Sequence, residues 1–408
     1  MTLTTHAAAI RLHPVIRTRL FLTVAAVMLA LLSNPAGLLA DDLSIVYRGT
    51  FDLPGSTTDQ HGNVFDIDGL SGITWTGGNN YWAVMDNSDK LVQLQVDLSA
   101  NGSIASASVA GGLTLAHSRD HEGIAYTNPQ RNSVFISDEN RPMPGVREYS
   151  LANGALMQTV SIPSVFSNIR SNYGFESLTR QPNGQVMWTA NEEALTVDGS
   201  LSSTSAGSVV RLQQFDVDGN NVAAGPQYAY ITNPVHRSTN DDPTQTGARS
   251  RSGLVELVAM HDGRLLALER SFAQAGIFNL SSAYRNSIFL IDLNDATDVS
   301  DMAGLIGQNY TPASKSLLWS ATRAIDPIAP IDPIGNLEGL TLGPQLPNGN
   351  WSLLGIVDWS DPIDLISANR LVAFELIGVI PEPGTAATLL TLAGFTLLRR
   401  RRHTACPS

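Results

Sequence analysis

One short phrase recurs along the chain. Asp120-His121-Glu122-Gly123-Ile124-Ala125-Tyr126 is an acidic entry, a small residue and then an apolar run. Counterparts stand at Leu70-Ser71-Gly72-Ile73-Thr74, Phe175-Glu176-Ser177-Leu178-Thr179, Leu254-Val255-Glu256-Leu257-Val258 and Leu337-Glu338-Gly339-Leu340-Thr341. Each is followed by a second apolar run that ends in polar or acidic residues. The runs are short, alternate, and are separated by Gly, Asn and Asp, which is the pattern of strands joined by tight turns. A phrase reused at intervals marks a structural unit that buries its apolar faces against copies of itself.

The units predict four short strands each. In the first, Leu70 to Trp75, Tyr81 to Met85, Leu91 to Val96 and a run within Ser103 to Leu115 serve. With Ile73, Ile124, Leu178, Val258 and Leu340 taken as equivalent, the spacings are 51, 54, 80 and 82 residues. Four strands in 40–50 residues is the signature of a β-propeller blade. The fifth unit lacks a fourth strand, and the opening strand at residues 43–51 lacks a partner. Pairing the two would close the ring and remove the free edges. The expected fold is all-β, a propeller of five blades, or six if the insertions at Pro234–Arg251 or Ser271–Ile334 hold another. Only 15% of residues are charged, too few to coat many surface helices, in keeping with this fold.

The two ends read as addresses. Arg11, Arg17 and Arg19 precede the apolar run Leu20–Leu32, and Ala40 is followed by Asp41-Asp42. That is the layout of a secretory signal peptide over residues 1–40. At the other end, Pro381-Glu382-Pro383-Gly384, the apolar run Ala386–Leu398 and Arg399–Arg402 follow in order. Residues 379–408 resemble the PEP-CTERM sorting signal of Gram-negative bacteria. That resemblance implies export, a transient membrane anchor and processing by an exosortase, with the product at the envelope, the surface or the extracellular matrix. The ends hold 7 of the 25 Lys and Arg, leaving 18 against 37 Asp and Glu, so residues 41–398 carry a net charge of −19. So acidic a body excludes nucleic acid as an expected partner. The sole cysteine, Cys406, lies in the tail, so packing and any bound metal must hold the body together.

Aligning the units gives two columns of acids. The first opens each unit: Ser71, Glu122, Glu176, Glu256 and Glu338. Glutamate is depleted in strands, so its recurrence at one strand position points to a shared use. The next residue is small in four units (Gly72, Gly123, Ser177, Gly339), as expected of strands crowded at a propeller axis. The second column ends the second strand: Asp86, Glu139 with Asp138, Glu192 with Glu193, Glu269 and Asp358. In an antiparallel hairpin these two positions lie side by side, so both columns are expected at one mouth of the central channel. Bare carboxylates so close repel. Oxygen ligands in excess, without Cys and with few His, favour Ca²⁺. The candidate metal ligands are therefore Glu122, Glu176, Glu338, Asp86, Glu139, Glu192, Glu269 and Asp358. Arg270 is a candidate anion clamp, His121 a candidate proton-transfer group beside Glu122, and His236, Arg237, Arg249 and Arg251 are basic residues of an insertion. No Gly-x-Ser-x-Gly elbow, His-Glu-x-x-His pair or phosphate-cradling Gly loop is present.

Asp68 to Ile73, Asp120 to Ile124, Gly174 to Leu178, Leu265 to Ser271 and Asn336 to Leu340 together resemble the phytase-like family, the esterase-like domain of phytase. The resemblance spans about residues 43–377. It implies a propeller with hydrolase activity on phosphoesters or carboxylesters at an acidic mouth; the residues themselves make Glu122, His121 and Arg270 the candidate catalytic groups. Ser71 stands where other units carry Glu, and Trp359 follows Asp358 where a polar run is expected. Three readings follow: a Ca²⁺-dependent ester hydrolase acting on a small anionic ester, a non-catalytic binding propeller of the surface or exopolysaccharide matrix with a structural Ca²⁺, and a lactonase-like propeller.

Overall fold

A computed structural model describes residues 43–236, 250–274, 283–324, 334–358 and 369–378. The signal segment, the Pro-Glu-Pro tail, Arg237, Arg249 and Trp359 lie outside the described residues. The chain begins with β1 (Ser44–Asp52) and a small hairpin, β2 (Ser56–Thr58) and β3 (Val64–Asp66). Blade one is β4 (Leu70–Gly77), β5 (Asn80–Met85), β6 (Ser88–Leu98) and β7 (Ile104–Arg119). Blade two is β8 (His121–Tyr126), β9 (Ser133–Asp138), β10 (Gly145–Ser150) and β11 (Leu156–Thr159), followed by a 3₁₀ turn at Ser164–Asn168. Blade three is β12 (Phe175–Arg180), β13 (Val186–Asn191), β14 (Val209–Asp218) and β15 (Asn221–Ile231). Blade four is β16 (Arg251–Ala259), β17 (Leu265–Ala273), β18 (Ala283–Asp292) and β19 (Ser314–Ala324). Blade five is β20 (Asn336–Gln345), β21 (Trp351–Asp358) and β22 (Arg370–Ile377), completed by β1.

Five four-stranded antiparallel sheets are thus arranged as a propeller. The closure expected from the unpaired strand is present: β1 runs against β22 from Ser44↔Ile377 to Asp52↔Arg370. A bulge between Tyr47 and Gly49 interrupts that ladder, and there Arg48 Nε donates to Glu375 at 2.9 Å. The long spacing before the fifth unit holds β19, the fourth strand of blade four. Among the described residues it holds no sixth blade. The same insertion carries residues 293–313 back onto blade three, where Val299 N–H bonds Gln227 O at 2.8 Å and Ala313 N–H bonds Ala229 O at 2.8 Å. Beneath it the fully buried Arg211 and Asp198 form a two-point ion pair at 2.7 and 2.8 Å.

The core lies between blades, because a strand buried on both faces needs a neighbour on each. Ile73 and Leu70 of blade one pack with Leu354, Ile356 and Leu371 of blade five. Val84 and Leu91 meet Ile124, Ile136 and Tyr149 of blade two. Phe135 and Val146 meet Phe175 and Met187, and Trp188 and Tyr230 meet Leu254 and Leu265. At the axis the innermost strands β4, β8, β12, β16 and β20 touch in succession. They come so close that a Cβ on Gly123 would sit 2.2 Å from Leu178 N, which is why small residues recur there. Among the described residues no helix is long and apolar enough to cross a membrane.

Candidate functional site

Every innermost strand carries a bulge at the same place. Register shifts fall between Leu70 and Gly72, His121 and Ile124, Phe175 and Ser177, Leu254 and Glu256, and Leu337 and Gly339. A bulge leaves its extra residue out of the ladder and re-aims that side chain. The residues so placed are Ser71, Glu122, Glu176, Val255 and Glu338. The first column therefore holds three glutamates, and blade four supplies Val255 in place of the expected Glu256. Glu256 sits one residue on, at the level of Gly72, Gly123, Ser177 and Gly339, where its buried carboxyl accepts from Leu178 N at 3.2 Å and Leu257 N at 2.9 Å.

The second column shifts in blade four in the same way. Asp86, Glu139 and Glu192 each give their N–H to the residue before the inner strand, at Gly69 O (2.7 Å), Asp120 O (3.1 Å) and Gly174 O (3.0 Å). The matching pairs in blades four and five are Gly253↔Arg270 and Asn336↔Asp358. Blade four thus contributes Arg270 to the column. Glu269, expected there as a metal ligand, points to the other face, because successive strand residues alternate sides. It accepts from Tyr230 Oη at 2.6 Å and Asn233 N at 2.8 Å and pairs with Lys315.

The remaining expected ligands converge. A cavity of about 340 Å³ is lined by Asp86, Glu122, Glu139, Glu176, Glu192, Glu338 and Asp358, with Arg251, Arg270, Asn336, Tyr173, Phe272 and Tyr284 among its other walls. One oxygen each of Glu122, Glu139 and Glu176 lies within 4.8 Å of the others, and so does one each of Asp86, Asp120 and Glu122. Asp120 was missed by the column alignment, which began one residue later. Ser71 Oγ donates to Glu122 and, at 3.4 Å, to Glu338, so the one hydroxyl in the acid column bridges its two neighbours. Arg270 is clamped by Glu192 and Asn336 at 2.9 Å each and by Glu338.

The other candidates lie elsewhere. His121 is buried on the opposite face of β8, its ring 6.0 Å from that of Tyr149. Burial first, then Arg119 and Arg147, push its pKa down to about 4, so it is neutral at pH 7. His236 is buried with Nδ1 2.9 Å from Ser271 Oγ. Asp138 pairs with Arg147, away from the cavity. Of the insertion's basic residues, Arg251 reaches the rim, with Nε 3.2 Å from Tyr173 Oη.

A model of the phytase-like family, described as "Esterase-like activity of phytase", matches residues 66–358. The chain belongs to the phytase-like family. The matched span contains all seven acids of the mouth and both of its arginines. No curated protein matches the sequence. Among solved structures, this phytase-like chain is similar to a Bacteroides vulgatus member of the DUF4221 family (7% identity, TM-score 0.38, 83% of this chain and 99% of that one). Others are the PQQ-bound aldose sugar dehydrogenase of Streptomyces coelicolor (11%, 0.36, 83% and 100%) and the periplasmic gluconolactonase of Pseudomonas aeruginosa (12%, 0.34, 83% and 100%). The strand pairing itself establishes the propeller.

The mouth of this phytase-like propeller resists carrying its charges bare. Burial, reinforced by Asp86, Glu338 and Glu139, raises Glu122 well above the carboxylate range. Glu176 is raised likewise by burial and by Glu122, Glu192 and Glu139. Burial and then Asp358 lift Glu338 to about 8, with Arg270 opposing. Glu139 rises to about 8 and Asp86 to about 7, burial leading in both. Burial works against the charge of Arg270, but Glu338, Glu192 and Glu176 outweigh it and hold the guanidinium protonated. An all-oxygen donor set, crowded and repelling, fits a hard cation such as Ca²⁺ better than zinc or copper. Glu122, shared by both close clusters, is its central residue.

Proposed function

We propose that the acidic mouth holds Ca²⁺ and that the protein is an exported, Ca²⁺-dependent ester hydrolase acting on small phosphoesters. The observation that carries this reading is the mutual approach of Glu122, Glu139 and Glu176 beside the held cation of Arg270. Membership of a family described by esterase-like activity supports it. In this reading Glu122, Glu139 and Glu176, with Asp86 and Asp120, bind the ions. Bound Ca²⁺ supplies the positive charge that polarises a phosphoryl oxygen and lowers the pKa of a water. Arg270 fixes Glu192 and Glu338 in place, and Arg251 at the rim meets the incoming anion. The test is hydrolysis of a panel of phosphate and acyl esters with Ca²⁺ and with EDTA, on wild type and Glu122→Gln. Calcium-dependent turnover lost in Glu122→Gln is the expected outcome, and no turnover of any ester sinks the reading.

A second reading is a non-catalytic surface or matrix propeller with a structural Ca²⁺. It is favoured by the engagement of Arg270 with Glu192, Asn336 and Glu338, which leaves the centre of the mouth without a readily offered cation. A Ca²⁺-dependent rise in melting temperature without turnover would select it. Export, exosortase processing and a place at the envelope or in the exopolysaccharide matrix belong to the proposal through the two end segments. Mass spectrometry of protein from the native host is expected to find both ends removed; intact ends would overturn that part.

A further inference from the structure

The channel has a second opening, at the end away from the acids. There the inner strands finish around a cavity of about 370 Å³, formed entirely by described residues, with no aspartate or glutamate in its lining. Its walls are Ile73, Ile124, Leu178 and Leu340, with Trp75 and Tyr126 at the rim. The oxygens of Thr74 and Thr179 accept blade-to-blade bonds from Tyr126 N and Ala259 N, both at 3.0 Å. Those bonds tie blade one to two and three to four, and they help fix the shape of the throat.

One arginine lines this space, whose wall also carries Thr76, Asn128, Gln181 and His261. Arg180, the last residue of β12, lines the cavity. Its guanidinium donates to two backbone carbonyls, Thr127 O and, at 2.6 Å, Gly184 O. Its Nε is buried without a hydrogen-bond partner among the described residues. The carboxylate whose field reaches it is Glu148, and that group is already held by Arg131, Ser133 and Gln158. Arg180 is thus a half-buried cation given to neutral carbonyls, and burial pulls its pKa down. A guanidinium without an anion, beside aliphatic and aromatic walls, gains most from a ligand that brings one negative charge and an apolar body.

We propose that this opening is a second binding site, for a small organic monocarboxylate whose carboxylate meets Arg180 and whose apolar body packs on Trp75, Tyr126 and the inner-strand aliphatic residues. A polyphosphate finds too little charge there, and a neutral apolar molecule leaves Arg180 uncompensated. The cavity is of the size that encloses a small ligand, for which pockets begin at about 300 Å³. The site is independent of the esterase reading, since it lies at the other end of the channel and shares no lining residue with the acidic mouth.

The test is calorimetric titration of the full chain with benzoate, phenylacetate and octanoate, each beside its neutral amide, in EDTA and in Ca²⁺. At least one acid is expected to bind with a Kd below about 1 mM, and its amide at least about tenfold more weakly. Arg180→Gln should weaken the acid about tenfold and leave the amide unchanged, while Trp75→Ala weakens both. Chelation should change none of these. Failure of every acid to bind at about 10 mM, or equal affinity for acid and amide, overturns the proposal. So does an unchanged acid Kd in a folded Arg180→Gln variant. If that variant does not fold, the acid–amide comparison and Trp75→Ala decide.

Discussion

Replacing Glu338 by glutamine should stabilise the metal-free protein, and more so as pH rises. Burial and Asp358 lift the Glu338 carboxyl from 4.5 to about 8 even with Arg270 beside it, and its side chain is only 14% exposed. A group whose folded pKa is raised favours the fold only while protonated. Below pH 4.5 it is neutral in both states; between 4.5 and about 8 the unfolded chain loses the proton first, so stability falls through that window. At 1.36 kcal/mol per pH unit the full shift is worth roughly 3–5 kcal/mol above pH 8, and under about 1 kcal/mol at pH 5. Buried His121 and His236, both held near 4, destabilise the fold as pH drops below 6.5, but they do so equally in both proteins and cancel. Glutamine keeps an acceptor for Arg270. Thermal melts of wild type and Glu338→Gln in EDTA should coincide within a few degrees at pH 5. They should separate by roughly 4–8 °C at pH 8.5, with the variant higher. In saturating Ca²⁺ the gap should narrow, because bound cations relieve the repulsion that raises the Glu338 carboxyl. A variant less stable than wild type in EDTA at pH 8.5 would refute the account of the mouth as an array of suppressed charges.

Three further outcomes follow from the fold. Glu256→Ala removes the acceptor for Leu178 N and Leu257 N at the axis and should cost about 2–4 kcal/mol in urea unfolding, whereas Glu256→Gln, which keeps a carbonyl oxygen, should cost less than half of that. Arg211→Met strands the buried Asp198 and should cost about 3–5 kcal/mol, much of it recovered by adding Asp198→Leu, as a double-mutant cycle would read. Gly123→Ala places a methyl against the backbone of Leu178; a melting temperature within a degree of wild type would show that the ring at the axis is looser than described.

The propeller was legible because its determinants are local and repeated. Strand alternation, turn residues and the recurring small residue after the acid each report the same unit, and the solitary opening strand pointed to its partner in the last blade. The strap at residues 293–313 was not legible. Its anchor is Arg211, whose place against Asp198 depends on contacts 13 residues away and on carbonyls of Val299 and Met302 some 90 residues away. Nothing near Arg211 in sequence distinguishes it from a surface arginine. Asp120 escaped notice for a similar reason, since its counterparts in other blades are Gly69, Gly174, Gly253 and Asn336 and show no shared chemistry.

Blade four shows how alignment by residue type misleads at a site. Leu254-Val255-Glu256 and Leu268-Glu269-Arg270 each offer a glutamate one residue from the column, and acids in the other blades invite its selection. Apolar spacing alone would align Leu257, not Val258, with Ile73 and Leu340, and that register puts Val255 and Arg270 in the columns. The consequence is physical. Four blades crowd seven carboxylates into one cavity, and the fifth answers with a hydrophobe and a cation at the same two positions. The Arg270 guanidinium then reaches the acids on either side of its own blade, Glu192 of blade three and Glu338 of blade five. A uniform ring of acids would have no internal counterion and would need cations merely to close. With blade four inverted, the ring carries one internal counterion, and the unrelieved repulsion is left where Glu122, Glu139 and Glu176 meet, at the seam of blades two and three.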